Sequence, residues 1–215
     1  MKTPFFQASI IAVMTTLAMM NTQADELDQE SLSREGKTYV FECASGSEFV
    51  VDINEDGSWL LLEQQTLKLT EPGGLVSYTA PGMELLIHGE NAVLREVGKT
   101  TLFCKNNKKR AIWEHAKLSG VDFRAVGNEP GWSLELIAGR KIIFISNDGS
   151  DRVERPLPEA ITNQAARTTR WDADGLTIEA TGKTCRDEMS GEAYESTITV
   201  FWKNKQFHGC GKALH

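Results

Sequence analysis

The sequence lacks the short motifs that mark many enzymes and metal sites. It has four cysteines but no C-x-x-C pair. It also has no G-x-S-x-G motif, no phosphate-binding glycine loop and no dense cluster of His, Asp and Ser side chains. These absences argue against a zinc site, a thioredoxin-type centre and a serine hydrolase. We therefore expect no metal, no cofactor and no catalytic residue.

Long apolar runs are also scarce, and the longest lies at the N-terminus. Lys2 precedes an apolar stretch over residues 5–20, and Ala24 offers a small-residue cleavage site. This pattern predicts a signal peptide over residues 1–24 and a soluble periplasmic protein with no stable membrane insertion after cleavage. An uncleaved anchor is the alternative, although the run is short and interrupted for a membrane span. No cysteine lies near the cleavage site, so we expect no lipid anchor there. Residues 25–37 are predicted to be a flexible lead-in.

Basic side chains are few in the first half. Residues 25–104 carry 15 acidic and 5 basic side chains, a balance of −10, whereas residues 105–215 carry 15 acidic and 17 basic, a balance of +2. An acidic half argues against a nucleic-acid partner. It suits a basic protein partner, because opposite fields speed encounter. Solubility alone is the alternative explanation.

Short alternating apolar runs separated by turn signals fill most of the chain. Asp56-Gly57 and Asp174-Gly175 are two of these signals. Strands at a spacing of roughly 8 to 12 residues indicate an all-β sandwich or barrel. We predict two small antiparallel β-barrel-like domains, residues 38–105 and 121–215, joined by a short helical connector over residues 106–120.

The four cysteines allow three disulfide connectivities. An exported protein meets an oxidising compartment, where bridges persist. The sequence favours Cys43–Cys104 and Cys185–Cys210, because each pair then lies inside one half of the chain.

The first half opens on a strand with Tyr39, Phe41 and Cys43, continues with the run of short strands, and closes on Cys104. In these features it resembles the MliC/PliC family of bacterial envelope inhibitors of c-type lysozyme. It implies a small antiparallel β-barrel with one disulfide, and two surface loops that enter the lysozyme cleft. The partner so implied is a c-type lysozyme, a basic protein.

The family's loops typically read Ser-Gly-x-x-Tyr and Trp-x-Lys-Gly-x-x-Ala-x-Leu. Here Pro81 stands at the serine and His88 at the lysine. A histidine can replace lysine as a cation when it is protonated. By this resemblance the candidate lysozyme-binding residues are Pro81, Gly82, Met83 and Glu84 in the first loop and His88, Gly89 and Glu90 in the second. The alternative is that His88 is an ordinary turn residue and that Glu84 and Glu90 are solvated charges.

The second half carries GNEPGW at residues 127–132 and CRDEMSG at residues 185–191. These motifs resemble a family of uncharacterised bacterial envelope proteins, which implies a domain but no mechanism. Asn128, Glu129 and Trp132 are a candidate ligand-binding turn, since tryptophan faces suit sugars and cations. The alternative is a turn beside a core tryptophan.

From these features we expect a periplasmic inhibitor of c-type lysozyme. The alternative is a non-inhibitory envelope module with an unknown ligand.

Overall fold

A computed structural model describes residues 36–70 and 77–215 of the chain. The predicted signal peptide lies outside the described residues, as does the predicted lead-in except for its last two positions. Within the described part, two antiparallel β domains are joined by one helix, which confirms the predicted fold class. The same residues include no helix long and apolar enough to cross a membrane.

The first domain is a nearly closed antiparallel barrel. Its eight strands are β1 (Lys37–Cys43), β2 (Glu48–Asn54), β3 (Gly57–Leu62), β4 (Gln65–Leu69), β5 (Ser77–Ala80), β6 (Met83–His88), β7 (Asn91–Glu96) and β8 (Leu102–Asn106). They lie in the order β4-β3-β2-β1-β8-β7-β6-β5. A single bridge between Thr70 and Thr79 brings the two end strands together, so the sheet nearly closes on itself.

The barrel core follows from the two-residue period of the strands. In β1, Tyr39, Phe41 and Cys43 point inward and join the core. Val40 points outward, yet it is only 3% exposed, because the connecting helix packs on that face of β1. Cys43 lies opposite Cys104 of β8 and is bonded to it.

The connector is helix α1, Lys108–Leu118, inside the predicted range. Asn107 is its N-cap, since its side-chain oxygen accepts from the Arg110 backbone N–H at 3.1 Å. The helix ends at Leu118 with Ser119 as its C-cap, and Gly120 follows with φ +80°, a conformation that favours glycine after a helix.

The second domain is a nine-stranded antiparallel sheet curled into a half-barrel. Its strands are β9 (Phe123–Asn128), β10 (Gly131–Ile137), β11 (Lys141–Ser146), β12 (Asp151–Pro156), β13 (Ile161–Asn163), β14 (Thr168–Ala173), β15 (Leu176–Thr181), β18 (Ser196–Trp202) and β19 (Lys205–Ala213). They lie in the order β12-β11-β10-β9-β19-β18-β15-β14-β13. The short strands β16 (Cys185–Arg186) and β17 (Ala193–Tyr194) form a separate pair.

The concave face of this sheet holds the second core, in which Phe144 contacts Trp132, Trp202 and Phe207. A Cys185–Cys210 disulfide ties β16 to β19. Both predicted bridges are therefore confirmed. Two disulfides are consistent with an oxidising, extracytoplasmic compartment.

Helix α1 also packs on the second domain. Ala116 lies in a small apolar cluster with Ile137 and Ile143 from the outer face of that sheet. Trp113 packs against Tyr194 in a tilted arrangement, with ring centroids 5.2 Å apart. The helix is thus packed between the two sheets.

Candidate functional site

The structure places the two predicted lysozyme-binding loops at opposite ends of one strand. Pro81 and Gly82 form the turn before β6, and Gly89 and Glu90 form the turn after it. Six strand residues separate the turns, a distance of about 20 Å along a strand. The two loops are therefore not brought together. This separation of the two loops could have been predicted from the sequence, because turns that precede and follow one strand lie at opposite ends of it.

The β6–β7 turn is exposed at its tip and anchored at its base. His88 and Gly89 are exposed, and Gly89 has φ +60°. The Glu90 carbonyl accepts from the Asn106 backbone N–H at 2.8 Å. The Glu90 carboxylate accepts from Asn106 Nδ2 at 2.8 Å and pairs with Lys108 Nζ at 3.2 Å. Glu90 is therefore held against the start of α1 rather than presented as a free charge.

These contacts also set the ionisation of Glu90. The hydrogen bond from Asn106 and then the ammonium of Lys108 lower the pKa of the carboxyl. Neither Asn106 nor Lys108 was among the predicted site residues. Their role depends on which strand lies beside β7, and no local pattern in the sequence gives that neighbour.

The β5–β6 turn is bound to the rest of the barrel through most of its residues. The Gly82 carbonyl accepts from the Val97 backbone N–H at 2.9 Å, which ties this turn to the β7–β8 loop. Met83 packs against the barrel core. Glu84 forms an ion pair with Arg95 at 2.8 Å. Among the four residues predicted in this loop, only Pro81 and Gly82 are exposed, and Met83 and Glu84 are partly buried.

In the second domain, Trp132 of the GNEPGW motif is a core residue. It is 5% exposed, and its Nε1 donates to the His208 carbonyl at 3.2 Å. Gly127 and Gly209 lie against the indole: a Cβ at Gly127 would stand 2.1 Å from Trp132 Nε1, and one at Gly209 would stand 2.6 Å from Trp132 Cζ2. The indole faces are thus not open to a sugar ring, and the alternative of a core tryptophan describes this residue.

The two motifs of the second domain meet at one junction. Asn128 Nδ2 donates to Asp187 Oδ2 at 2.7 Å, and Asp187 Oδ1 accepts from the Ser190 backbone N–H at 2.6 Å. These hydrogen bonds, the Ser190 bond first, lower the pKa of Asp187. Glu129 remains exposed beside a cis peptide bond to Pro130. The hydrogen bonds of Asp187 thus hold the two motifs together. Of the three residues predicted in the ligand-binding turn, only Glu129 keeps a free side chain on the surface.

No group of three or more His, Cys, Asp or Glu side chains within residues 36–70 and 77–215 is arranged to hold a metal ion. The thiols of all four cysteines are consumed in bridges.

Comparison with protein-family models, with curated proteins and with solved structures returns no match to this chain.

Proposed function

We propose that this chain is a periplasmic inhibitor of a c-type lysozyme, and that the barrel presents its β6–β7 turn to the enzyme. The observation that carries the proposal is the arrangement of this turn. His88 is exposed at the end of β6, while Glu90, one residue past Gly89, is bonded to Asn106 and Lys108. The exposed imidazole of His88 is thus part of a turn that the contacts of Glu90 with Asn106 and Lys108 hold in place.

The chemistry of the target suits such a group. A lysozyme holds two carboxyl groups in its cleft, one acting as an acid and the other ionised. A protonated imidazole between them would donate charge-assisted hydrogen bonds. Because the turn is already held, binding would lose little conformational entropy there.

The charge of the barrel half supports a basic partner. Residues 25–104 carry the balance of −10, and c-type lysozymes are basic proteins. Opposite fields would speed association and would be screened by salt.

In this proposal only the β6–β7 turn contacts the enzyme, and the β5–β6 turn does not. Pro81 and Gly82 lie at the far end of β6, so they are outside an interface centred on His88. Contacts beside the turn would come from neighbouring exposed residues such as Asn91 and Lys105, which pair across β7 and β8.

A second candidate is a non-inhibitory envelope module. One observation favours it: the bonds of Glu90 tie the β6–β7 turn to Asn106 and Lys108, and the same bonds would serve simply to anchor the connector on the barrel. In that case the exposed His88 is an ordinary turn residue.

Calorimetric titration of the chain with a c-type lysozyme separates the two candidates. The enzyme is used alone and then saturated with a chito-oligosaccharide that fills its cleft. We expect saturable binding that the oligosaccharide abolishes. His88→Ala should weaken binding at least tenfold, whereas Pro81→Ala at the opposite end should leave it unchanged. Absence of binding, or binding that ignores both the oligosaccharide and His88→Ala, would favour the non-inhibitory module.

A further inference from the structure

We propose that the outer face of β6, β7 and β8 is the surface on which the lysozyme rests, beside the β6–β7 turn. This inference rests on the proposed function and adds to it a second cation, Lys105, and an apolar anchor, Phe103. An interface of standard size covers about 800 Å² and roughly 20 to 30 residues on each partner. The two-residue turn is far smaller, so an enzyme bound at His88 must also cover barrel surface next to it.

Strand register arranges the outward side chains of this face in rows. Successive residues of a strand alternate between the two faces of a sheet, so every second residue of β6, β7 and β8 points outward. His88 lies opposite Asn91, which lies opposite Lys105, and these three residues form the row nearest the turn. The next row consists of the cross-strand partners Leu86, Val93 and Phe103. The two rows are about 7 Å apart along the strands, and each spans about 10 Å across them.

The second row is apolar and partly open to solvent. Phe103 is 66% exposed, and Leu86 and Val93 are half-buried. A single exposed phenylalanine would need no explanation, but this one continues a row of two other apolar side chains. Beyond the row lies the ion pair of Glu84 with Arg95. An apolar centre between polar rows is typical of a protein interface, and aromatic side chains are enriched at such a centre.

Lys105 adds a positive charge to the row nearest the turn. Its cross-strand neighbour on β1 is Glu42, but that carboxylate binds Arg110 Nη1 at 2.8 Å and Asn107 Nδ2 at 2.9 Å. The Glu90 carboxylate is held by the start of α1. Within residues 36–70 and 77–215, Lys105 is exposed and forms no ion pair. Its ammonium is therefore available to a partner.

This local charge fits the cleft of the proposed partner. Residues 25–104 carry a balance of −10, whereas the β6–β8 face presents the free ammonium of Lys105 beside the imidazole of His88. A c-type lysozyme has the opposite arrangement, because it is a basic protein with an ionised carboxylate in its cleft. The acidic barrel would attract the enzyme at long range, and the row of His88 and Lys105 would face the cleft. A lysine ammonium stays charged at pH 8, whereas a histidine has lost most of its charge by then.

The test is calorimetric titration of a c-type lysozyme at pH 6 and pH 8 with the wild-type chain, Phe103→Ser, Lys105→Gln and His88→Ala. Phe103→Ser should weaken binding at least tenfold at both pH values. Lys105→Gln should weaken it at least threefold and by the same factor at both, whereas the loss in His88→Ala should be smaller at pH 8. Ile161→Ser is the matched control, since this residue of the second domain is 64% exposed, and it should have no effect. The melting temperature should change no more in Phe103→Ser than in Ile161→Ser.

The outcomes separate this inference from the proposed function. An affinity that is unchanged in Phe103→Ser or in Lys105→Gln, while His88→Ala still weakens binding, would overturn the inference and leave the proposed function intact. No binding of the wild-type chain would contradict the proposed function, and this inference with it. Sedimentation of the free chain tests a second copy as the occupant of the face. We expect a monomer, and a dimer that Phe103→Ser dissociates would overturn the inference.

Discussion

Asn128 donates a hydrogen bond of 2.7 Å to Asp187, and this contact joins two sequence motifs that are 59 residues apart. Asp187 is 7% exposed and also caps the turn that follows it, through the Ser190 backbone N–H. The carboxylate is therefore the acceptor on which both motifs converge. Since its folded-state pKa is lowered, its ionised form stabilises the second domain.

We predict that Asp187→Asn lowers the free energy of unfolding by roughly 1 to 2 kcal/mol at pH 7, because charge-assisted hydrogen bonds are replaced by neutral ones. A depressed carboxyl pKa contributes stability above the unfolded-state pKa and loses it as the pH falls through the folded-state value. The difference between wild type and variant should therefore shrink below about pH 4. Urea unfolding from pH 7 to pH 2 measures this difference in stability, with Asp56→Asn as a control at an exposed carboxylate. A difference that is independent of pH would contradict a stabilising role of the ionised Asp187.

Gly209 lies so close to Trp132 and to β9 that we expect no larger residue to fit at this position. A Cβ at Gly209 would stand 2.1 Å from the Val126 carbonyl oxygen, so Gly209→Ala cannot be accommodated without moving the backbone of β9. We expect a loss of more than about 4 kcal/mol, or failure of the second domain to fold. Gly139→Ala is the control, since its Cβ would meet nothing within 4 Å and costs only the strain of a positive φ, about 1 to 2 kcal/mol. Circular dichroism melting curves should separate the two variants; similar melting temperatures would argue against the packing described.

Trp113 couples the helix to the second domain through aromatic packing and a cation. Lys212 Nζ lies 5.1 Å from its ring centroid, and the same indole packs in a tilted arrangement against Tyr194. Trp113→Ala should lower the free energy of unfolding by roughly 1 to 3 kcal/mol, whereas Trp113→Phe should retain most of the aromatic packing. A double-mutant cycle with Lys212→Ala should give a coupling energy of about 0.5 kcal/mol or more. Strict additivity would show that the cation makes no contribution.

Each disulfide lies inside one domain, so its removal should affect that domain alone. Replacing Cys185 and Cys210 by alanine opens a loop with a sequence separation of 25 residues, and the chain-entropy model gives a loss of roughly 3 to 4 kcal/mol. Hydrogen exchange should then be faster in the second domain and unchanged in the barrel. The matched variant without Cys43 and Cys104 should show the reverse. Equal loss of protection in both domains would mean that they unfold as one unit.

Local patterns in the sequence were sufficient for the architecture. The alternation of Tyr39, Phe41 and Cys43 predicted an inward face of a strand, and the connector was placed over residues 106–120, where α1 lies. Non-local neighbours were not predictable in this way. The pairing of β1 with β8 joins the first four strands of the barrel to the last four across a separation of 61 residues at the disulfide, and only the placement of the two cysteines hinted at it.

The candidate site was predicted less completely. His88 was found at an exposed turn, as its Gly89 neighbour suggested, but Glu90 turned out to be bonded to Asn106 and Lys108. Trp132 was proposed for a ligand-binding turn and lies in the core, because Gly127 and Gly209 leave room for its indole there. In both cases the deciding contact comes from a distant strand, which turn chemistry cannot specify.

The central claim is inhibition of a c-type lysozyme, and a titration of peptidoglycan lysis tests it most directly. Purified chain is added to the enzyme at pH 6 and at pH 8, and the wild type is compared with His88→Ala. We predict saturable inhibition that is stronger at pH 6, where a histidine is more fully protonated, and that His88→Ala removes. No inhibition at micromolar concentrations of the folded chain, or inhibition that is identical in His88→Ala, would contradict the account.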